Sequence, residues 1–168
     1  ALPKYPQAEG FAIGLLCGGG YALLESLFLG GASEEWAAII ASRTAASLLH
    51  VVHGGLMGWA AGAAASVIQH STSWPQRIKG LVLPFLVYSW VVLVHGLWNG
   101  MALFVALSDL SAQVPAIADL PLVLPLGNIA PFVLGGIIVC QLFILLFMNR
   151  ILRRQIAKAL PKMSNAAV

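Results

Sequence analysis

Four long apolar stretches dominate the chain, at about residues 10–29, 45–68, 81–107 and 128–147. Each reaches or exceeds the roughly 20 residues that an α-helix needs to cross a bilayer. Only 9% of the 168 residues are charged, and 60% are hydrophobic. A water-soluble domain carries about a quarter charged residues, so this chain lacks the polar surface to fold in water. The sequence predicts an all-α polytopic membrane protein, with four transmembrane helices in a single membrane domain over residues 1–168.

The lysines and arginines predict the orientation of the spans. If the spans alternate in direction, eight of the nine basic side chains lie on one side, and Arg43 alone lies on the other. Five of the eight follow the fourth span, in a basic tail over residues 150–168 that suits anionic lipid. We therefore expect both termini on the cytoplasmic side. Arg43 is expected near the outer boundary, extending toward water or paired with Glu34 or Glu35.

Prolines shape the expected ends of the last two spans. Pro84 lies near the start of the third span and predicts a bend or an interfacial start there. Four further prolines fall in the stretch from residue 108 to residue 131. This stretch is predicted to be too interrupted for a helix and to lie at the outer interface.

Four polar residues interrupt the apolar stretches: Glu25, His50, His95 and Asn99. A charged group in hydrocarbon costs about 3 kcal/mol or more, so it usually faces a partner, a water-filled cavity or a substrate. At a rise of about 1.5 Å per residue, all four fall in the outer half of the membrane or near its middle. His95 and Asn99 are four residues apart and share a helix face. We expect the four side chains, from three spans, to meet in one polar cluster open to the outside.

Small residues recur every four positions in the first two spans. The first span carries Gly10, Gly14, Gly18 and Ala22, and the second carries Gly54, Gly58 and Gly62. Such strips let two helix backbones approach closely, so we expect the two antiparallel spans to pack on each other. Glu25 lies seven residues after Gly18, and His50 lies four before Gly54, so both polar residues extend the glycine faces. Arg43 lies seven residues before His50, again on the same face.

Three sequence blocks resemble the PrsW-type intramembrane proteases. Tyr21 and Glu25 stand four apart, like an aromatic residue and a glutamate in that family, although phenylalanine is usual at the first position. Arg43, followed by His50 and a glycine-rich continuation, resembles the family's arginine-to-histidine helix. His95-Gly96-Leu97-Trp98-Asn99 resembles its histidine–asparagine block. The blocks occur in the family's order.

The resemblance covers about residues 9–108. It implies an endopeptidase in a bacterial cytoplasmic membrane that cuts segments of other membrane proteins near the outer face. It also implies that the catalytic residues are Glu25, His50, His95 and Asn99. The expected partners are the lipid bilayer and either a membrane-protein substrate or partner subunits. No basic stretch alternates with aromatic residues, so nucleic acid is not an expected partner.

One family block has no counterpart before Glu25. In the family, two adjacent glutamates and a lysine lie on a helix that precedes the aromatic–glutamate block. Glu34 and Glu35 are adjacent, but they follow Glu25. By resemblance, the missing glutamates would supply the base that activates water. Either this block lies in an amino-terminal part upstream of Ala1, or the chain is a relative that has lost it. The main alternative function is a catalytically inactive relative that serves as an accessory or scaffold subunit of a larger membrane complex.

The residues themselves permit peptide hydrolysis, which needs an activated water and donors for the oxyanion. Glu25 could act as the base, His50 could orient the water, and His95 and Asn99 could donate to the carbonyl oxygen. Glu25, His50 and His95 could instead hold a zinc ion with one open position, although no HExxH-type spacing occurs. A structural alternative gives these residues helix-packing hydrogen bonds, and His53 is predicted to be a packing residue. A haem-binding four-helix electron carrier, with His50 and His95 as axial ligands, is a further alternative.

Overall fold

In the computed structural model, the described residues are 6–30 and 43–159. They form five helices: α1 (Pro6–Gly30), α2 (Thr44–His70), α3 (Trp74–Ser111), the single-turn α4 (Pro115–Ala118) and α5 (Val123–Ala159). Every one of these helices except α4 is long and apolar enough to cross a membrane. The prediction of an all-α membrane protein with four transmembrane helices is therefore confirmed.

The last two membrane helices are longer than the predicted spans. α3 has 38 residues and α5 has 37, which correspond to about 57 and 55 Å at about 1.5 Å per residue. The hydrocarbon core of a bilayer is only about 30 Å thick, so both helices extend beyond it. The basic tail begins as a continuation of α5 up to Ala159, and its remaining residues lie outside the described part.

The proline-rich stretch is more helical than its sequence predicts. α3 continues to Ser111, and α5 already begins at Val123, so only residues 112–122, with α4, interrupt the helices. Pro125 lies in the first turn of α5, where a backbone N–H has no partner within the helix. Pro131 and Pro84 lie inside α5 and α3, as membrane helices tolerate. The expectation of a non-helical stretch from 108 to 131 was therefore wrong at both ends.

One helical unit contains α1, α2, the start of α3 up to Tyr88 and the end of α5 from Gln141. Apolar side chains from three of these helices form its core: Phe11 of α1, Val52 and Leu56 of α2, and Met148 and Leu152 of α5. The second unit, residues 89–140, contains the remainder of α3 and α5 together with α4. In it, Gly127 packs so closely on α3 that an added methyl group would press against Ser108.

α1 and α2 pack backbone to backbone through the two glycine strips. Three successive contacts define the register: Gly10 against Gly58, Gly14 against Gly54, and Gly18 against His50. At each contact, a methyl group on the α1 glycine would overlap the backbone carbonyl opposite it. The predicted packing of the first two spans is confirmed. Large apolar side chains such as Leu16, Phe28 and Phe132 point outward, as expected for a surface solvated by lipid.

A buried polar contact joins α2 to α5 within the first unit. The side-chain amide of Gln141 donates through Nε2 to Nε2 of His53, at 3.3 Å. The two residues are 1% and 4% exposed. His53 thus belongs to the helix packing, as the sequence predicts. A hydrogen bond between membrane helices typically stabilises the fold by about 0.6–2 kcal/mol.

Replacing Gln141 with leucine is expected to lower the free energy of unfolding by about 1–2 kcal/mol, because it removes this bond and leaves the buried imidazole nitrogen without its donor. The unfolding equilibrium in mixed detergent micelles would measure the change. Gln155→Leu is the matched control, since Gln155 bonds Gln7 at the exposed surface of the same helix. That variant should change stability by less than about 0.5 kcal/mol. Equal effects in the two variants would contradict a stabilising role for the buried contact.

Candidate active site

The register of the two glycine strips leads directly to a polar cluster. Gly18 contacts His50. Glu25 lies seven residues after Gly18 on α1, and Arg43 lies seven residues before His50, directly before the first residue of α2. Seven residues are about two helical turns, so both side chains stay on the facing sides of the two helices. Glu25 and Arg43 accordingly form an ion pair. The cluster lies at the end of the hairpin where α1 ends and α2 begins.

The carboxylate of Glu25 is the centre of the cluster. Its Oε2 atom accepts from Nη2 of Arg43 and lies 3.1 Å from Nε2 of His50. The side chains of Arg43, Glu25 and His50 are 21%, 31% and 14% exposed, respectively. The cluster is thus partly enclosed and still accessible. An adjacent guanidinium offsets the penalty of placing a carboxylate in an apolar environment.

Further contacts hold the positions of Arg43 and His50. The guanidinium Nε of Arg43 donates to Oγ of Ser26 at 3.4 Å, and Ser26 itself is buried. Oγ of Ser47 donates to the backbone carbonyl of Arg43 at 3.0 Å, within the first turn of α2. The ring of Tyr21 meets the imidazole of His50 edge to face, with centroids 4.9 Å apart. The aromatic position four residues before the glutamate therefore packs on the histidine of the neighbouring helix.

The structure brings together Glu25 and His50 of the four predicted site residues. His95 and Asn99 both lie on α3 in the second unit, with His95 half-buried and Asn99 exposed. They are one helical turn apart, as predicted from their spacing.

A family model described as PrsW family intramembrane metalloprotease matches residues 6–126, well over half of the chain. The chain belongs to the PrsW family. The match spans the Glu25 cluster and the pair His95 and Asn99. No curated protein and no solved structure matches the chain. The family assignment and the four apolar helices together establish an integral membrane protein of the PrsW-like protease type.

The description of the PrsW family as metalloproteases raises the question of whether these residues fit a metal. A catalytic zinc ion takes three protein ligands and an open position. In each of the two units, the described residues contain no group of three His, Cys, Asp or Glu side chains that could hold a metal ion. Among the described residues of the cluster, only Glu25 and His50 are donors of this kind. Arg43 is bonded to the same Oε2 that His50 approaches, and a guanidinium there opposes a second cation. As the described residues form it, the Glu25 cluster does not fit a zinc site.

Arg43 is the cluster residue that was not among the predicted site residues. The sequence places it in the family's arginine-to-histidine helix, yet the expected partners were Glu34 or Glu35, which lie outside the described residues. In the structure its partner is Glu25. The spacing carries part of the signal, because Arg43 and Glu25 are each seven residues from the contact of Gly18 with His50, but only the structure establishes that contact.

Proposed function

We propose that this chain is a PrsW-type intramembrane endopeptidase that hydrolyses a peptide bond of another membrane protein near the outer face, with Glu25 as the general base. One observation carries the proposal. Two neighbours hold the carboxylate through a single oxygen, Oε2, while Oε1 makes no hydrogen bond to any residue in the described ranges. A carboxylate fixed at one oxygen offers the other to water.

Hydrolysis at this site needs one water molecule and one peptide carbonyl. In the proposed step, Oε1 of Glu25 takes a proton from the water as its oxygen adds to the carbonyl carbon. The carboxyl group then returns the proton to the amide nitrogen as the carbon–nitrogen bond breaks, so atoms and charge balance. Positioned acid–base catalysis of this kind contributes about 10²–10⁴-fold to a rate.

His50 and Arg43 act on Glu25 in different ways. His50 donates its Nε2–H to Oε2 and so fixes the rotation of the carboxylate. Arg43 places a positive charge beside the carboxylate within the apolar helix pair. In this proposal both are positioning residues for the base.

We also propose His95 and Asn99, by resemblance to the family, as residues that donate hydrogen bonds to a carbonyl oxygen as it becomes an oxyanion. Their support is their shared face of α3 and the family match, which includes both positions. We also propose a bacterial cytoplasmic membrane as the location, on family resemblance alone. The distribution of lysines and arginines predicts that the Glu25 cluster lies on the outer side.

A second candidate is a catalytically inactive PrsW-like subunit of a membrane complex. The ion pair of Glu25 with Arg43 favours this candidate, because a polar contact between two membrane helices stabilises their packing even when it takes part in no reaction. Such a subunit would keep its fold and its assembly while cleaving nothing.

The test is cleavage by the purified chain in liposomes. The probe is a library of single-span test proteins whose residues are randomised through the outer half of the span, with products identified by mass spectrometry. We expect cuts confined to that half. Asn99→Ala should slow them about 10²–10³-fold, which is the usual loss when one oxyanion donor is removed. Asn149→Ala is the matched control, because Asn149 is exposed near the end of α5. If the wild-type chain cuts no member of the library, the inactive subunit is the better description.

A further inference from the structure

We infer that a small pocket beside the Glu25 cluster is a specificity subsite, which takes one uncharged aliphatic side chain of the substrate next to the scissile bond. The inference rests on the proposed function and names the class of residue that the site selects.

The pocket lies in the same seam between α1 and α2 as the cluster and has a volume of about 240 Å³. Small and hydroxyl-bearing residues predominate in its walls, among them Gly19, Ala22, Ser26, Thr44, Ser47 and Val51. Three of these directly follow a residue of the cluster in sequence. Ser26 follows Glu25, Thr44 follows Arg43, and Val51 follows His50.

Because these pocket residues directly follow cluster residues in sequence, the position of the pocket relative to the Glu25 cluster is known. Successive residues of a helix point about 100° apart, so the pocket occupies the helix faces next to those that carry the cluster. A direct contact joins the two, because the buried hydroxyl of Ser26 accepts from Nε of Arg43 at 3.4 Å. A peptide whose carbonyl is at Glu25 would therefore direct a neighbouring side chain into this pocket.

The size and chemistry of the walls define what fits. Ligand pockets usually measure about 300–1,000 Å³, so this one suits a single side chain. Among the described residues, no charged side chain lines it. The hydroxyls of Ser26 and Ser47 are engaged with Arg43, and Ala22, Leu23 and Val51 supply apolar surface. An aliphatic side chain gains burial there, whereas a charged one would lose its hydration without finding a partner.

Gly19 keeps the pocket open. Among the described residues, a methyl group on Gly19 would meet Cγ2 of Val51 alone, at the ordinary contact distance of 3.7 Å. A larger side chain at this position therefore fills the pocket without forcing the helices apart. The next residue, Gly20, is a matched control, because a methyl group there has no atom of residues 6–30 or 43–159 within 4 Å and Gly20 does not line the pocket.

The experiment compares Gly19→Ala, Gly19→Val and Gly20→Val by the cleavage profile of the same library in liposomes. We expect the wild-type chain to accept leucine, valine and alanine at one position beside the cut and to reject aspartate and lysine. Gly19→Val should lower cleavage after leucine relative to alanine by about tenfold or more, since one or two methylenes in a pocket change discrimination by about 10–200-fold. Gly19→Ala should shift the profile in the same direction by less. Gly20→Val should keep the wild-type profile.

Each outcome has a distinct meaning. Absence of cleavage by the wild-type chain would overturn the proposed function and the subsite with it. If the wild-type chain cleaves but Gly19→Val and Gly20→Val give the same profile, the subsite is wrong and the proposed function stands. Should Gly19→Val fail to fold in detergent, the profile of Gly19→Ala against Gly20→Val decides the matter. An unchanged profile in Gly19→Ala then counts against the subsite.

Discussion

Replacing Glu25 with glutamine is expected to lower cleavage of the library by about 10²–10⁴-fold, the contribution of a positioned general base. Glutamine has nearly the same shape, but its amide cannot take a proton from water. The change also leaves Arg43 without its anionic partner, and a charge stranded in a partly buried site destabilises the fold. Loss of cleavage in this variant alone therefore does not separate catalysis from folding.

A second substitution makes that separation. In the double variant Glu25→Gln and Arg43→Gln, neither partner carries a charge, and two amides can hydrogen-bond each other across the helix pair. We expect the free energy of unfolding of the double variant to be closer to the wild-type value than that of Glu25→Gln. Its cleavage rate should stay as low as that of Glu25→Gln. The measurements are the unfolding equilibrium in mixed micelles and the cleavage rate in liposomes, made on the same preparations. Arg77→Gln, in a surface position at the start of α3, is the control for losing an arginine.

Two results would contradict this account. Wild-type cleavage by Glu25→Gln would remove Glu25 from the reaction. Recovery of cleavage together with stability in the double variant would show that Glu25 acts only through its charge balance with Arg43.

The membrane class and the first helix pair were predictable because both follow from local rules. Apolar length alone predicts the four membrane helices. The four-residue spacing of glycines predicts close backbone contact, which the structure shows between Gly14 and Gly54. The positions of Glu25 and His50 on these same faces then bring the two side chains together, since a helix face continues in register beyond the glycines.

The partner of Arg43 was harder to predict for a physical reason. Proximity in sequence favours Glu34 and Glu35, whereas the ion pair with Glu25 depends on the register between two helices. Only the glycine contacts fix that register, and the sequence does not say which α1 glycine faces which α2 glycine. The proline-rich stretch was misjudged for a similar reason. Proline weakens a helix in water, but in a membrane the surrounding protein and the lack of competing water favour helix continuation.

Substituting leucine for Gly14 is expected to have a large structural effect in the first unit. A side chain there overlaps the carbonyl of Gly54 and approaches the Cα of Gly55, so the two backbones must move apart. Forcing a larger side chain into a close-packed contact typically costs about 1–3 kcal/mol, and here the obstacle is backbone that cannot rotate away. We expect the free energy of unfolding in mixed micelles to fall by about 3 kcal/mol.

The same change should also disrupt the Glu25 cluster, because the glycine contacts set the register that brings Glu25 to Arg43. Cleavage in liposomes should therefore fall together with stability. Gly20→Leu on the same helix is the matched control, since a methyl group at Gly20 has no neighbour within 4 Å in the described part of the chain. This variant should keep both properties near wild type. If Gly14→Leu and Gly20→Leu have the same free energy of unfolding and the same cleavage rate, the glycine strips do not set the distance between α1 and α2. That result would also contradict the geometry assigned to Glu25.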